Sequence, residues 1–297
     1  MQFSGRIDKS VKADAYDIDA FETSAPLVAK LHDLGRHLVC YIDAGSWEKG
    51  RPDADRYPAS VKGKAMAGWP GERWLDIRQV DVLAPILEDR IAMCAAKCFD
   101  GVEFDNVDGY SNKTGFPLTA QDQLAFDRWL ADTAHADGLA VGLKNTPSLA
   151  KQLEPSFDFS IVEQCVQYRE CGSFTPFLDA GEPVLDIEYS VRPSAFCPKG
   201  ARVCTRFSQH RGSPGRPWRC AGGHEQPGPS PPVPRPPGPA GDLAPLASTS
   251  SGRAERRQWL RGSVTSGMVR AMRWHLFSSE AKKKLLRPCR EARALGL

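Results

Sequence analysis

Carboxyl groups follow short apolar runs at several points in the first 200 residues of this chain. Such groups can transfer protons to and from a reacting bond when their surroundings adjust them. In a parallel sheet or barrel, the carboxyl ends of the strands share one edge, and the loops at that edge carry the active site. The candidate residues at that edge are Asp17, Asp19, Asp43, Glu103, Asp105, Asn106, Asp108, Lys144, Asn145, Glu163 and Glu188.

One strand in particular breaks the usual pattern. A buried parallel strand is expected to be almost continuously apolar, yet residues 101–106 contain both Glu103 and Asp105. Side chains alternate along a strand, so these two acids face the same way, with Asp105 nearer the rim. A rule broken at a strand end indicates function.

These residues also have structural explanations. A single acid after a strand is commonly a helix cap, which would account for Asp17 and Asp19. Asp76 could pair with a neighbouring arginine, and Lys144 could pair with one of the acids. Caps alone explain poorly why five strands deliver polar groups to the same rim.

Aromatic residues accompany the acids. Trp47, Trp69 and Trp74 lie between the third and fourth predicted strands, and Tyr110 follows the fourth. Aromatic faces suit the apolar faces of sugar rings and attract ammonium groups. The alternative is that they cover the mouth of a barrel. An acidic cleft lined with aromatic residues favours a sugar polymer over a nucleotide. Residues 63–71 also lack the spacing of a phosphate-binding glycine loop.

The elements that would position these residues alternate between strands and helices, which predicts an α/β fold with a parallel sheet. Helical stripes occur at Leu27–Leu34 and Leu83–Ala95, and Thr119 with Asp122 predicts a capping box that starts a third helix ended by Gly138. The predicted strands are Gln2–Gly5, Ala15–Ile18, Leu38–Asp43, Gly101–Asn106, Ala140–Asn145, Phe159–Gln164 and Val184–Tyr189, with an eighth expected near residues 202–210.

Charge divides the chain into two unlike parts. Residues 201–297 contain 18 Lys or Arg and 5 Asp or Glu, whereas the first 200 contain 21 and 31. Residues 227–239 include eight prolines. We therefore expect a folded domain over residues 1–205 and a low-complexity, largely disordered basic tail over 206–297. The tail is interpreted as non-native or frameshifted sequence, and the alternative is a segment that binds nucleic acid, another polyanion or a membrane surface.

Nine cysteines indicate either disulfides in an oxidising compartment or metal ligands. No CxxC pair, His-rich cluster or HExxH motif lies near them, so we expect no metal and no cofactor. Cys165 and Cys171 could close a short loop, although spacing does not determine pairing. No apolar run reaches the length of a membrane span.

At this point several segments resemble one known family. They are Tyr16–Asp19, Cys40–Glu48, Gly68–Glu72, Trp74–Arg78, Gly101–Tyr110, Gly142–Asn145 and Glu163–Cys165. Over roughly residues 2–200 the chain resembles glycoside hydrolase family 114, the endo-α-1,4-polygalactosaminidases. The resemblance implies a (β/α)8 barrel, secretion or an envelope location, and cleavage inside α-1,4-linked galactosamine polymers.

Carried over motif by motif, the resemblance implies that Asp105 and Glu163 are the catalytic carboxyls. One would protonate the leaving oxygen while the other attacks the sugar or activates water. The implied substrate-binding residues are Asp17, Asp43, Trp47, Trp69, Trp74, Glu103, Asn106, Asp108, Tyr110, Lys144, Asn145 and Glu188. The expected partner is a cationic galactosamine-containing polysaccharide bound by a monomer, with no nucleic acid.

Two departures from the family are expected to matter. The chain begins inside the first strand, and the match fades after about residue 205, so we expect a barrel incomplete at both points. The alternative function is therefore a catalytically inactive carbohydrate-binding barrel.

Overall fold

A computed structural model describes residues 1–191 except Lys12, together with the backbone of strand Thr205–Ser208. A parallel sheet of seven strands forms its centre, in the order β1-β2-β6-β7-β8-β9-β10. Its strands are β1 (Ala15–Asp19), β2 (His37–Asp43), β6 (Gly101–Asp105), β7 (Ala140–Lys144), β8 (Phe159–Glu163), β9 (Val184–Glu188) and β10 (Thr205–Ser208). The sheet curls into part of a (β/α)8 barrel, as the sequence predicts.

Six α-helices are present among the described residues. They are α1 (Ala25–Asp33), α2 (Val80–Ala96), α3 (Ala120–Ala136), α4 (Ala150–Leu153), α5 (Cys165–Tyr168) and α6 (Thr175–Ala180). The predicted capping box is confirmed, because Thr119 and Asp122 satisfy each other's backbone N–H groups at the start of α3.

Apolar side chains cover both faces of the sheet. The outer face packs on the helices through residues such as Leu38, Phe104 and Leu143. The inner face forms a smaller cluster that includes Val39, Phe159 and Ile161. This two-sided burial explains why the strands are mostly continuous apolar runs.

The N-terminal strand prediction was wrong in extent. Of residues 2–5, Gln2 alone makes a β-bridge, which is parallel and pairs with Ile18. The Gln2 side chain instead donates to the carbonyls of Ser4 and Arg6, and Gly5 turns the chain with φ +75°. The eighth predicted strand is confirmed as β10, which pairs in parallel with β9.

A small antiparallel sheet follows β2, where the sequence indicated a loop. It consists of β3 (Ser46–Glu48), β4 (Lys62–Ala65) and β5 (Glu72–Leu75), in the order β3-β5-β4. Glycine makes its approach to the barrel possible, because a Cβ on Gly45 would lie 1.9 Å from the carbonyl oxygen of Asn106.

Disulfides fix two places in the fold. Cys165 and Cys171 are bonded, which confirms the loop closure considered from the sequence, and Cys40 of β2 is bonded to Cys94 of α2. The predictions for the tail lie largely outside the described residues. No described helix has the length and apolarity needed to cross a membrane.

Candidate active site

Asp105 and Glu163 end two strands that flank the same neighbour. Asp105 is the last residue of β6, Glu163 is the last residue of β8, and β7 lies between these strands. Two strand spacings place the backbones about 10 Å apart, and both side chains are partly exposed. The two carboxyls therefore occupy one rim of the barrel and remain open to solvent.

Asp105 is held by a cation and a phenol. The ammonium of Lys144, at the end of β7, lies 3.3 Å from Oδ1 of Asp105, and the hydroxyl of Tyr41 donates to Oδ2 at 3.0 Å. Burial and the carboxylates of Asp105 and Asp43 raise the pKa of Tyr41 well above its ordinary value. Tyr41 therefore remains a hydrogen-bond donor throughout the ordinary pH range.

Glu163 is held by uncharged groups. The hydroxyl of Tyr189 donates to Oε1 at 2.6 Å, and the amide of Asn145 makes a long contact of 3.5 Å with Oε2. The backbone N–H of Glu163 also donates to the side-chain oxygen of Asn145 at 2.9 Å. Asn145 thus fixes the end of β8 from the neighbouring strand.

The phenol of Tyr189 shows how closely these groups converge. Its pKa is raised well above the ordinary value, first by burial and then by Glu163, with further contributions from the charges of Glu103 and Asp105. Tyr41, Asp105 and Lys144 are therefore linked by a hydrogen bond and an ion pair, and Glu163 is linked to Tyr189 by a hydrogen bond. The charge of Glu163 also acts on Lys144, which connects the two groups electrostatically. We call these five residues the rim network.

The backbone at this rim is unusual. Asn106, Asn145 and Gln164 follow β6, β7 and β8, and their φ angles are +65°, +49° and +60°. Residues other than glycine rarely adopt this left-handed backbone conformation, and such strain concentrates at functional sites. The left-handed residues end three adjacent strands and turn the chain away directly after the two carboxyls.

Asp43, Asn106 and Asp108 organise the neighbouring loops. Asp43 is buried and accepts hydrogen bonds from Ser46 and from the Asn106 amide. Burial, followed by the charges of Glu48, Asp105 and Glu72, raises the pKa of Asp43 well above its usual range. Asp108 is buried and accepts a bond from Asn112.

Two acids beside this rim, Glu48 and Glu72, were not among the candidates predicted from the sequence. Glu48 and Glu72 lie directly opposite each other on β3 and β5, close enough for their charges to act on Asp43 and Tyr41. Arg51 pairs with Glu48 at 2.7 Å and with Asp19 at 2.6 Å. Glu48 and Glu72 lie in the short strands of residues 46–48 and 72–75. These segments were interpreted as loops, so their acids were not considered as candidates.

The predicted aromatic residues lie in different environments. Trp47 donates to the carbonyl of Ala54, and the ammonium of Lys62 lies 4.3 Å from its ring centre. Trp74 is buried, whereas Trp69 and Tyr110 are half-buried. The structure therefore does not gather the three tryptophans into one exposed face.

Three predicted substrate-binding acids lie inside the protein. Asp17 and Glu103 are buried on β1 and β6, below the rim. Glu188 is buried at the end of β9 and accepts the backbone N–H groups of Val166 and Gln167, at the start of α5. These three carboxyls are buried, unlike the partly exposed Asp105 and Glu163 at the rim.

Cys165, Cys171 and Asp186 lie together among the described residues. The two sulfurs are joined in a disulfide and offer no thiolate to a metal ion. Asp186 instead accepts the backbone N–H of Cys165 at 3.2 Å. This cluster anchors the segment that follows Glu163.

The chain is similar to known glycoside hydrolases in sequence and in fold. The sequence profile of glycoside-hydrolase family GH114 matches residues 1–218. The crystal structure of Aspergillus fumigatus Ega3 in complex with galactosamine is 37% identical, with a TM-score of 0.66 over 70% of this chain and 88% of that chain. The glycoside hydrolase domain of PelA from Pseudomonas aeruginosa shares the fold at 16% identity, with a TM-score of 0.54 over 70% and 92% of the two chains. No curated protein matches the chain significantly.

Proposed function

Because this chain belongs to glycoside hydrolase family GH114, we propose that it cleaves α-1,4-linked galactosamine polymers inside the chain, with Asp105 and Glu163 as the catalytic carboxyls. The observation that carries the proposal is the rim network, which holds two partly exposed carboxyls on either side of one buried ammonium. Glycoside hydrolysis requires such a pair.

The contacts of the two carboxyls support different roles. An ammonium favours the anionic form of a carboxylate beside it, and Lys144 lies 3.3 Å from Asp105. Asp105 therefore acts as the nucleophile at the anomeric carbon, or as the base that takes a proton from water. Glu163 contacts a hydroxyl and an amide, which suits the acid that gives its proton to the departing glycosidic oxygen.

The acidic charge of the first 200 residues and the similarity to Ega3 both support the substrate assignment. The first 200 residues carry ten more acidic than basic side chains, and several of those acids lie at the rim. Deacetylated galactosamine units are cationic, so this field attracts them. The similar Ega3 structure was solved in complex with galactosamine. The disulfides of this chain support secretion or a place in the cell envelope.

The test uses Asp105→Asn and Glu163→Gln, with Asp132→Asn on the exposed surface of α3 as the matched control. We expect each site variant to lose at least about a thousandfold in kcat on a defined galactosamine oligomer while binding is retained. An aryl glycoside with a good leaving group needs no protonation, so it should partly restore bond cleavage by Glu163→Gln and not by Asp105→Asn.

Product analysis completes the test. Internal cleavage gives a mixture of short oligomers from the start, and the anomeric configuration of the first product separates retention from inversion. A parent chain that binds the polymer and never cleaves it would support the carbohydrate-binding alternative. Full activity in either site variant would exclude that residue from catalysis.

A further inference from the structure

A pair of buried carboxyls lies below the rim network. Glu103 on β6 is fully buried and Asp17 on β1 is 3% exposed. Burial and the negative charge of Glu103 raise the pKa of Asp17 well above its usual range. Both effects favour the neutral form of Asp17 beside Glu103.

The ammonium of Lys144 connects this pair to the rim. Its Nζ lies 2.7 Å from Oε1 of Glu103 and 3.3 Å from Oδ1 of Asp105, and its side chain is 3% exposed. Burial opposes the charge of Lys144, but the carboxylates of Asp105, Glu103 and Glu163 outweigh it and hold the pKa of Lys144 well above the ordinary value. The shorter contact is the one that points away from the rim.

We infer that Glu103 is a positioning residue that holds the Lys144 ammonium from below, so that one positive charge serves both Asp105 and Glu163. This inference rests on the hydrolysis proposed above. Without the lower contact, the ammonium would pair directly with Asp105 and make that carboxylate a poorer nucleophile or base. The titratable groups that surround Lys144 are Asp17, Glu103, Asp105, Glu163 and the amino group of Met1, whose pKa burial lowers to about 6.

The main test is the pH profile of kcat/KM for Glu103→Gln and Lys144→Met. Removing the negative charge of Glu103 favours the anionic forms of both rim carboxyls, so both limbs of the profile should move to lower pH, by about one unit. Removing the positive charge of Lys144 should move both limbs to higher pH. Opposite shifts from two neighbouring buried residues are not expected from a purely structural role.

Three further variants sharpen the result. Asp17→Asn keeps a neutral side chain beside Glu103, so the limbs of its pH profile should stay near those of the parent. Glu103→Asp keeps the charge and should restore the limbs most of the way. Asp127→Asn removes a buried carboxyl of α3 that contacts Gln123, remote from Lys144, and should shift neither limb. A loss of activity with unmoved limbs in Glu103→Gln would overturn the inference, as would a downward shift in Lys144→Met.

A second measurement does not depend on cleavage. Carbon-13 NMR of the side-chain carboxyls follows the titrations of Asp105 and Glu163 in the substrate-free protein. We expect their midpoints to move in the same opposite directions in Glu103→Gln and Lys144→Met. If the parent chain cleaves nothing, the proposed function fails while these midpoints still decide the inference. If Glu103→Gln does not fold, unchanged titration midpoints of Asp105 and Glu163 in Lys144→Met would overturn the inference.

Discussion

The hydroxyl of Tyr189 donates a 2.6 Å hydrogen bond to Oε1 of Glu163 from the strand beyond it. Tyr41 makes the corresponding bond to Asp105 from the opposite side, at 3.0 Å. Each carboxyl of the proposed pair is therefore oriented by a phenol on its outer flank. Lys144 occupies the space between them.

Replacing Tyr189 or Tyr41 with phenylalanine should lower kcat about ten- to a hundredfold with little change in KM, since a hydrogen bond to a charged group contributes about 1.5–3 kcal/mol. Initial rates on a galactosamine oligomer measure the effect. Tyr57→Phe is the matched control, because the buried hydroxyl of Tyr57 has no hydrogen-bond partner among the described residues. Equal losses in all three variants would show that the phenols of the rim have no specific role.

The sequence placed Asp105 and Glu163 at the rim because each ends a predicted parallel strand, whereas the resemblance to the family singled them out as a pair. It did not predict Tyr41 or Tyr189, since a tyrosine in or after a strand has the same signature whether it fills the core or binds a carboxylate. Glu48 and Glu72 were missed because three- and four-residue strands leave no periodic pattern. The Cys40–Cys94 bond joins residues far apart in sequence, and spacing carries no information on such pairing.

Salt should weaken activity on a deacetylated polymer. The charges of Glu48, Asp105 and Glu72 lie close enough to raise the pKa of Asp43 at the rim, and these three charges attract a cationic substrate through solvent. Raising NaCl from about 20 mM to about 500 mM should lower kcat/KM about tenfold, because the screening length falls well below 10 Å. A fully N-acetylated polymer carries no such charge and is the control substrate. An unchanged rate on the deacetylated polymer would contradict the electrostatic account.

The two disulfides whose partners both lie among the described residues should affect stability and activity differently. Cys40–Cys94 joins residues 54 positions apart and Cys165–Cys171 joins residues 6 apart. Loop-closure entropy then predicts losses of about 4 and about 2 kcal/mol in the free energy of unfolding when each is replaced by an alanine pair. The shorter loop follows Glu163 directly, so its removal should lower kcat more than removal of the longer one. Urea unfolding and initial rates measure both effects, and the reverse order for kcat would contradict the assigned role.

Glu182 should make the protein less stable as the pH rises. Burial, followed by the charges of Glu154 and Asp158, raises the pKa of Glu182 to about 8, whereas an unfolded glutamate titrates near about 4.3. The folded state therefore binds this proton more tightly, so the stabilisation is complete below about pH 4.3 and is lost as the pH rises to about 8. Glu182→Gln should raise Tm at pH 8 and leave it nearly unchanged at pH 4, as measured by thermal unfolding. Glu88→Gln, on the exposed face of α2, controls for the loss of a surface charge. A Tm difference between Glu182→Gln and the parent that stays constant from pH 4 to pH 8 would show that Glu182 is not protonated in the folded protein.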